Sequence, residues 1–290
     1  MTLLKLLGEE LLLWRKKLLS KGGSAAELDW LLDIGGGLRW CDLQQIYVDP
    51  KKSVILQESL ENLECLWINH LDDHIPLQHL IGRCPWRDFE LEVSSEALIP
   101  RQETEILMDL ALEKFEEQFE GCWVDLGTGS GVLAIALARA FPLSVGHAVD
   151  ISKQALSLAK RNLDQLVPDS EVNFHLGSWW EPLKPWWGSI ELVLANPPYI
   201  PTNVLAGLDP IVRDHEPHVA LCGGLDGLNA SREILNGAFN ALAKNGWLFL
   251  EHHHDQSDVV LELMDAVGLK DVGYESDLSG VRRFALGRHP

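Results

Sequence analysis

Positive charge is scarce in this chain, and long apolar runs are absent. Its 290 residues hold 24 lysines and arginines against 43 aspartates and glutamates, a formal net charge of −19. Proteins that bind duplex DNA take much of their affinity from cations that neutralise phosphates, so this balance argues against nucleic acid as a stable partner. No apolar segment reaches the roughly 18 residues of a membrane-spanning helix, so we expect a soluble protein without a membrane partner.

Cysteine pairs of the kind that hold zinc are also missing. The five cysteines are isolated from one another, and none belongs to a C-x-x-C pair. They are Cys41, Cys65, Cys84, Cys122 and Cys222. This usage indicates a reduced, cytoplasmic protein without structural zinc. The apolar stretch 3–13 contains Lys5, Glu9 and Glu10 and differs from a secretory signal.

The first 82 residues show apolar side chains at helical spacing. The pattern predicts one helix over Leu3–Leu19, a second over Ala25–Ile34 and further helices around Leu43–Tyr47 and within Val54–Leu71. Ser24 and Glu27 have the spacing of a capping box at the start of the second helix. We therefore predict a helical N-terminal domain at residues 1–82.

A different pattern begins after residue 82. Pro85–Val93 alternates with period two, which predicts a β-hairpin linker at residues 83–101. Over residues 102–290 predicted strands and helices alternate, which indicates an α/β domain with a mostly parallel sheet covered on both faces. Ligands of such sheets bind beyond the carboxyl ends of the strands.

The first predicted strand of this domain, Cys122–Leu126, ends in a glycine-rich loop, Asp125–Gly131. Its glycines permit a tight turn and let a ligand approach the backbone and the following helix. The spacing is Gly-x-Gly-x-Gly rather than the dinucleotide pattern, and no lysine of a phosphate-binding loop is present. Taken alone, such a loop could also be a tight turn without a ligand.

Two more strand ends carry residues that suit a nucleoside. Asp150 could accept two hydrogen bonds from a ribose diol, or cap the helix that begins near Ser152. Trp179, after the third strand, could pack against adenine. Asp125 could orient the glycine loop, face an ammonium group of the ligand, or serve only as a cap.

The fourth strand, 190–195, runs into Asn196-Pro197-Pro198-Tyr199. Two successive prolines fix φ and remove backbone donors, so the chain leaves the sheet in a rigid turn. The turn offers an amide side chain, carbonyls without competing local donors and an aromatic face, which suit a planar amide or amino nitrogen. A structural Pro-Pro turn explains this stretch equally well by itself; the convergence of four strand ends favours a nucleoside site that faces it.

In this combination the sequence resembles S-adenosylmethionine-dependent methyltransferases with a seven-stranded Rossmann-like sheet. Among them it is similar to the release factor glutamine N5-methyltransferases (the HemK/PrmC family), through most of the chain. The segments that carry the resemblance are Pro76–Gly82, Ile99–Glu105, Asp125–Gly131, Asp150, Trp179, Asn196–Tyr199 and Glu216–Leu228.

The resemblance implies a cytoplasmic, monomeric enzyme that moves the methyl group of S-adenosylmethionine to the N5 atom of the glutamine in the Gly-Gly-Gln motif of peptide-chain release factors. It implies a substrate-docking role for residues 1–82 and a catalytic role for residues 102–290, without a metal. The implied cofactor-binding residues are Gly127, Thr128, Gly129, Ser130, Gly131, Asp150, Trp179 and Asn196.

The same resemblance assigns substrate binding to Asn196, Pro197, Pro198 and Tyr199, and catalysis to the first, second and fourth of these. The Asn196 side chain and the Pro197 carbonyl would accept hydrogen bonds from the substrate amide, and Tyr199 would pack against the amide plane.

Two features depart from the family pattern, and a third belongs to the family-like loop. Ser178 stands where an acidic residue commonly precedes the adenine-side aromatic. The run Glu251-His252-His253-His254 is unusual for the family. Its three histidines follow a predicted strand, Trp247–Glu251, and are expected to form a solvent-facing loop rather than a metal site, since adjacent side chains point in different directions. The cluster 214–218 is expected to shape the substrate entrance.

Alternatives to this function stay open. A sister enzyme could methylate a ribosomal-protein glutamine with the same chemistry. An adenine-N6 methyltransferase of nucleic acid would present an exocyclic amine to the same turn after base flipping, although the acidity of the chain counts against it. A nucleoside-binding protein without turnover is the non-enzymatic alternative.

Overall fold

A computed structural model of the chain describes residues 3–290, and these form two compact units. The first unit extends to Arg83 and includes the distant segment Pro210–His215. The second comprises Cys84–Asp209 and Glu216–Pro290. The described residues contain no helix whose length and apolarity would let it span a bilayer.

The first unit is mainly helical and carries a short antiparallel ribbon. The ribbon pairs β1 (Leu4–Leu7) with β2 (Ser53–Leu56). The helices, numbered along the chain, are α1 (Gly8–Leu19), α2 (Ala25–Trp30), α3 (Trp40–Val48), α4 (Leu60–Asp73), α5 (Leu77–Ile81) and α9 (Pro210–Arg213), with a π-helical turn at Leu31–Gly35. Buried leucines and the fully buried Trp67 form its core.

The ribbon corrects the helices expected over Leu3–Leu19 and from Val54 onward. Leu6 and Val54 are buried in alternation with exposed neighbours, which is the period of a strand rather than a helix. Helix α1 starts only at Gly8, where a Cβ would lie 2.7 Å from the Cβ of Ile46, so glycine permits the close approach. The Ser24–Glu27 capping box is confirmed: each side chain accepts a hydrogen bond from the other residue's backbone N–H.

The second unit contains a seven-stranded sheet and, except for its first residue Arg83, a two-stranded hairpin. The hairpin strands, expected from the alternation in Pro85–Val93, are β3 (Arg83–Trp86) and β4 (Phe89–Glu92). The sheet strands are β5 (Cys122–Leu126), β6 (Val145–Asp150), β7 (Glu171–Leu176), β8 (Ile190–Ala195), β9 (Leu242–Glu251), β10 (Lys270–Ser276) and β11 (Arg282–Arg288). The helices are α6 (Glu105–Lys114), α7 (Val132–Ala140), α8 (Lys153–Leu166), α10 (His218–Leu221), α11 (Asn229–Ala241) and α12 (Ser257–Ala266), with 3₁₀ turns at Glu181–Trp186 and Leu205–Gly207.

The spatial order of the sheet is β10-β11-β9-β8-β5-β6-β7. Strands β7, β6, β5, β8 and β9 are parallel, and β11 pairs antiparallel with both β9 and β10. Apolar clusters cover both faces of the sheet. The expected α/β class with a mostly parallel seven-stranded sheet is confirmed. The order reverses between β5 and β8, and this is where a ligand cleft forms in such folds.

Candidate active site

A cavity of about 290 Å³ lies in the second unit at the carboxyl ends of the central strands. Small-molecule sites commonly have volumes of about 300–1,000 Å³, so this one is at the lower end. Eight of the cofactor- and substrate-binding residues that the resemblance implied line it: Gly127, Thr128, Gly129, Ser130, Asp150, Trp179, Asn196 and Pro198. Gly131, Pro197 and Tyr199 do not line the cavity, although each is next in sequence to a residue that does.

The glycine loop presents its backbone to this cavity. Gly127 and Gly129 have φ values of +77° and +55°, a region in which side chains are strained. A Cβ on Gly127 would lie 3.3 Å from the Trp179 ring, and one on Gly129 would have only Ala97 nearby, at 3.9 Å. At Gly131 a Cβ would lie 3.0 Å from the backbone of helix α8, so that glycine serves packing.

Asp150 ties the glycine loop to the start of helix α8. One of its carboxylate oxygens accepts from the Gly129 N–H at 2.9 Å, and the other from the Ser152 N–H at 2.8 Å. The N-cap itself is the Ser152 side chain, which accepts from the Ala155 N–H. Burial raises the pKa of Asp150, while the backbone N–H donors oppose that shift. Each carboxylate oxygen can accept a second hydrogen bond, so the group can also receive donors from the cavity.

Asp125 is buried at the floor of the cavity. Its Oδ2 accepts from the Thr128 hydroxyl at 2.6 Å and from the Ala134 N–H at 3.1 Å, which orients the loop. Its Oδ1 has no hydrogen-bond partner within residues 3–290. Burial raises the pKa of this carboxyl to about 7, against the effect of its two donors. An orphaned buried acceptor is costly, so the site suits a ligand with a cationic or donor group.

The two adjacent tryptophans have separate roles. Trp180 is buried, and its indole N–H donates to the Ile234 carbonyl at 2.8 Å. Trp179 lines the cavity with φ at +44°, a strained conformation for a bulky residue, and its ring covers Gly127. Ser178 also lines the cavity and brings no charge to this wall.

The turn after β8 is held by a hydrogen-bonded chain of side chains. The Asn196 amide N–H donates to the Thr104 hydroxyl at 3.0 Å, and Thr104 donates to Glu251 Oε2 at 2.8 Å. The Tyr199 hydroxyl donates to Glu251 Oε1 at 3.1 Å. The Gln256 amide also donates to the Tyr199 carbonyl at 3.0 Å.

Thr104, Glu251 and Gln256 were not identified as site residues from the sequence. Thr104 lies in the Ile99–Glu105 segment that carried the family resemblance, so this segment held a usable signal. Glu251 ends strand β9 beside β8, a position that only the strand order reveals.

The expectation of a solvent-facing loop for the three histidines at 252–254 is wrong for His252. Glu251 and His252 are 2% and 0% exposed, because strand β9 continues to Glu251 and the His252 N–H donates to the Arg283 carbonyl. Burial also lowers the pKa of His252. The part of the chain that the structure describes has no group of three or more histidine, cysteine or acidic residues arranged to hold a metal ion.

The residues at 214–218 separate into different roles. Asp214 and His215 belong to the first unit, where His215 bonds the Asp73 carbonyl. Glu216 is buried in the second unit, pairs with Arg101 and accepts from the Ile99 N–H. Downstream, Pro217, Val219, Ala220 and Cys222 line the cavity.

Known proteins similar to this chain are methyltransferases. A family model described as "Methyltransferase small domain" matches residues 101–206. A protein of Prochlorococcus marinus named release factor glutamine methyltransferase is 57% identical over 284 residues, 97% of each chain. A protein of the same name from Synechocystis is 36% identical over 97% of each chain.

Solved structures support the fold alone, because their sequence identities are low. The hMettl16 catalytic domain, solved in complex with the MAT2A 3′UTR hairpin 6, superposes with a TM-score of 0.54 at 14% identity, covering 79% of this chain and 80% of its own. A methyltransferase from Pyrococcus furiosus gives a TM-score of 0.50 at 17% identity, covering 68% and 87%.

The substitution Asp125→Asn should make stability less dependent on pH. Burial raises the pKa of Asp125 from 3.8 to about 7 on folding, so the folded chain retains a proton that the unfolded chain has released. This contribution to stability is fully present below the unfolded pKa and is lost as the pH rises through the folded pKa, by at most about 1.4 kcal/mol per pH unit. The asparagine oxygen can still accept from Thr128 and Ala134.

Urea unfolding at pH 5, 6, 7 and 8 measures the effect. The stability of Asp125→Asn relative to the unsubstituted protein should increase with pH. The matched control Asp164→Asn, at an exposed position of helix α8, should follow the unsubstituted protein. Parallel pH curves for Asp125→Asn and the unsubstituted chain would contradict the raised pKa.

Proposed function

Because this chain belongs to the release factor glutamine methyltransferase family, we propose that it methylates the N5 atom of the glutamine in the Gly-Gly-Gln motif of peptide-chain release factors. The observation that carries this proposal is the 57% identity to one family member over 97% of both chains. The family resemblance and the methyltransferase class expected from the sequence are confirmed. The methyl donor that we propose is S-adenosylmethionine.

The residues around the cavity fit this cofactor. Asp125 Oδ1, buried and without a partner among residues 3–290, would accept from the ammonium group of its amino-acid part. Asp150 has acceptor capacity left for the ribose diol, and Trp179 offers a ring for the adenine. The backbone of Gly127 and Gly129 leaves room for close contact. When bound, the cofactor supplies a methyl group made electrophilic by a sulfonium.

The enzyme's own contribution is to hold a poor nucleophile in place. An amide nitrogen has its lone pair delocalised into the carbonyl, and acceptors for its two N–H groups shift electron density toward nitrogen. We assign these acceptors to Asn196 Oδ1 and the Pro197 carbonyl. The Asn196 amino group is already engaged by Thr104, and Pro198 has no N–H that could compete.

No general base is required before the attack. An amide protonated on nitrogen is strongly acidic and loses its proton to water afterwards. Burial raises the pKa of Tyr199, and the neighbouring Glu251 charge acts in the same direction, so this phenol stays neutral. The rate gain in this proposal comes from alignment, for which effective molarities of about 10⁵–10⁸ M set the upper scale. Packing of the Tyr199 ring against the substrate amide stays a prediction.

The proposed substrate implies where and how the enzyme works. Release factors act on ribosomes, so we place the enzyme in the cytoplasm and propose that it acts as a monomer. An active site that reads a short loop needs a second contact for selectivity. We propose that the helical residues 1–82 supply this docking surface, with residues 83–101 as the linker to the catalytic residues 102–290.

The substrate is tested by locating the transferred methyl group. Labelled S-adenosylmethionine is offered with a release factor, a ribosomal-protein mixture or nucleic acid, and the product is mapped by mass spectrometry. Label is expected on the Gly-Gly-Gln glutamine and should disappear when that glutamine is replaced by alanine. Label confined to a ribosomal protein or to adenine would overturn the proposed substrate.

The substitution Asn196→Ala should lower kcat at least a hundredfold, because it removes an acceptor that is aimed at the reacting amide. The affinity for S-adenosylmethionine, measured by calorimetry, should fall less than tenfold. Asn203→Ala changes an exposed asparagine of the following loop and is the matched control. Turnover of Asn196→Ala at the control's rate would remove this side chain from the mechanism.

The substitution Asp150→Ala should weaken cofactor binding about tenfold to hundredfold, since hydrogen bonds to a charged group are lost. The readout is a comparison of two ligands, S-adenosylhomocysteine and its 2′-deoxyribose analogue, by calorimetry. The substitution should reduce affinity for the ribose compound much more than for the deoxy compound. An equal loss for both ligands would mean that Asp150 acts only through the glycine loop.

A further inference from the structure

Glu251 and Thr104 bond the residues of the Asn-Pro-Pro-Tyr turn. Thr104 lines the cavity together with Asn196, whereas Glu251 does not. Glu251 and Thr104 are each 2% exposed. Thr104 immediately precedes helix α6, Glu251 ends strand β9, and the two side chains meet across 147 positions of sequence. The buried Glu251 carboxyl therefore bonds Tyr199 of the turn directly and reaches Asn196 of the same turn through Thr104.

The single hydroxyl proton of Thr104 decides which way the Asn196 amide points. A threonine hydroxyl has one hydrogen, and Thr104 uses it to donate to Glu251 Oε2. Toward Asn196 the hydroxyl can therefore only accept. The Asn196 atom that faces it must be the amino group, at 3.0 Å, which leaves the amide oxygen for the cavity.

The other oxygen of Glu251 is also occupied by a donor. Tyr199 gives its hydroxyl proton to Oε1 at 3.1 Å. With donors on both oxygens the group acts as a pure acceptor, which is the ionised state of a carboxyl. Burial raises the pKa of Glu251 to about 7; the Thr104 and Tyr199 bonds and the Arg283 charge oppose this rise, and Glu103 adds to it. At pH 8 the carboxylate form dominates.

We propose that Glu251, acting through Thr104, is the positioning residue that sets the orientation of the Asn196 amide, so that its oxygen rather than its amino group faces the nucleophile. The inference rests on the proposed function, in which Asn196 accepts a hydrogen bond from the substrate amide. Orientation decides which substrates the turn admits. An oxygen toward the cavity selects an N–H donor such as a primary amide, whereas a reversed amide would repel it.

The substitution that tests this is Thr104→Val at pH 8, which keeps the shape of the side chain and removes the hydroxyl. Thr104→Ser restores the hydroxyl and is the matched control. The valine variant should lose about tenfold to hundredfold in kcat for release factor, in proportion to a lost hydrogen bond at the reacting group. The serine variant should stay within about threefold of the unsubstituted enzyme, and both should bind S-adenosylmethionine with unchanged affinity.

A double substitution separates positioning from a general structural effect. If Thr104 acts through Asn196, Thr104→Val should change the residual activity of Asn196→Ala by less than about twofold. If Thr104→Val lowered the kcat of Asn196→Ala by the same factor as it lowers that of the unsubstituted enzyme, the proposal would be overturned. A valine variant with unchanged kcat, or a serine variant as impaired as the valine one, would also overturn it.

A second readout needs neither cofactor nor substrate. In protein labelled with ¹⁵N-asparagine, the side-chain amide signal of Asn196 is identified by its absence from Asn196→Ala. Its protons should exchange slowly with water in the unsubstituted protein and in Thr104→Ser, and at least tenfold faster in Thr104→Val and in Glu251→Gln. Equal exchange rates in all four proteins would refute the orientation mechanism even if the enzyme methylates release factor. A protein with the expected exchange rates but no methylation of release factor would instead refute the proposed function.

Discussion

The parallel pairing of β5 with β8 is the constraint on which the cavity depends. Leu126 and Ala195 are register partners at the ends of these strands, so the chain segments that follow them leave the sheet side by side. One segment is the glycine loop and the other is the Asn-Pro-Pro-Tyr turn. Strand β6 delivers Asp150 to the same edge on one side, and β9 delivers Glu251 on the other. The cavity and the Asn196 amide become neighbours because four parallel strands end together.

Three carboxyl groups then organise this edge of the sheet, two of them buried and the third, Asp150, partly buried. Asp125 and Asp150 shape the glycine loop by accepting from its backbone and side chains, and Glu251 holds the turn through Thr104 and Tyr199. Burial disfavours the charged form of each group, which raises the pKa of all three. Their hydrogen-bond donors offset part of that effect. Asp125 and Asp150 line the cavity, and Asp125 Oδ1 has no partner among residues 3–290, whereas both oxygens of Glu251 accept from groups of the protein itself.

Local sequence patterns predicted most of the second unit and less of the first. Strand β5 has the predicted limits, because its apolar run marks them, and helix α8 begins where it was predicted, because Ser152 caps it. The ribbon of β1 and β2 was missed, since strands of four residues carry too short an alternation to outweigh the helical spacing around them. His252 was expected in solvent because its two neighbouring histidines suggested a polar loop. It is buried because the chain stays beside β11 for one residue after β9 ends, where the His252 N–H donates to the Arg283 carbonyl.

The sequence by itself determined the features that depend on neighbouring residues: a stiff turn from two prolines, a glycine loop with positive φ values, and the order of strands and helices. The tertiary structure decided which distant groups meet. Asn196 reaches Thr104 across 92 positions and Tyr199 reaches Glu251 across 52. The orientation of the Asn196 amide is also decided by the tertiary structure. An amide side chain has no intrinsic preference between its oxygen and its nitrogen, and only the hydroxyl that folding places beside it supplies one.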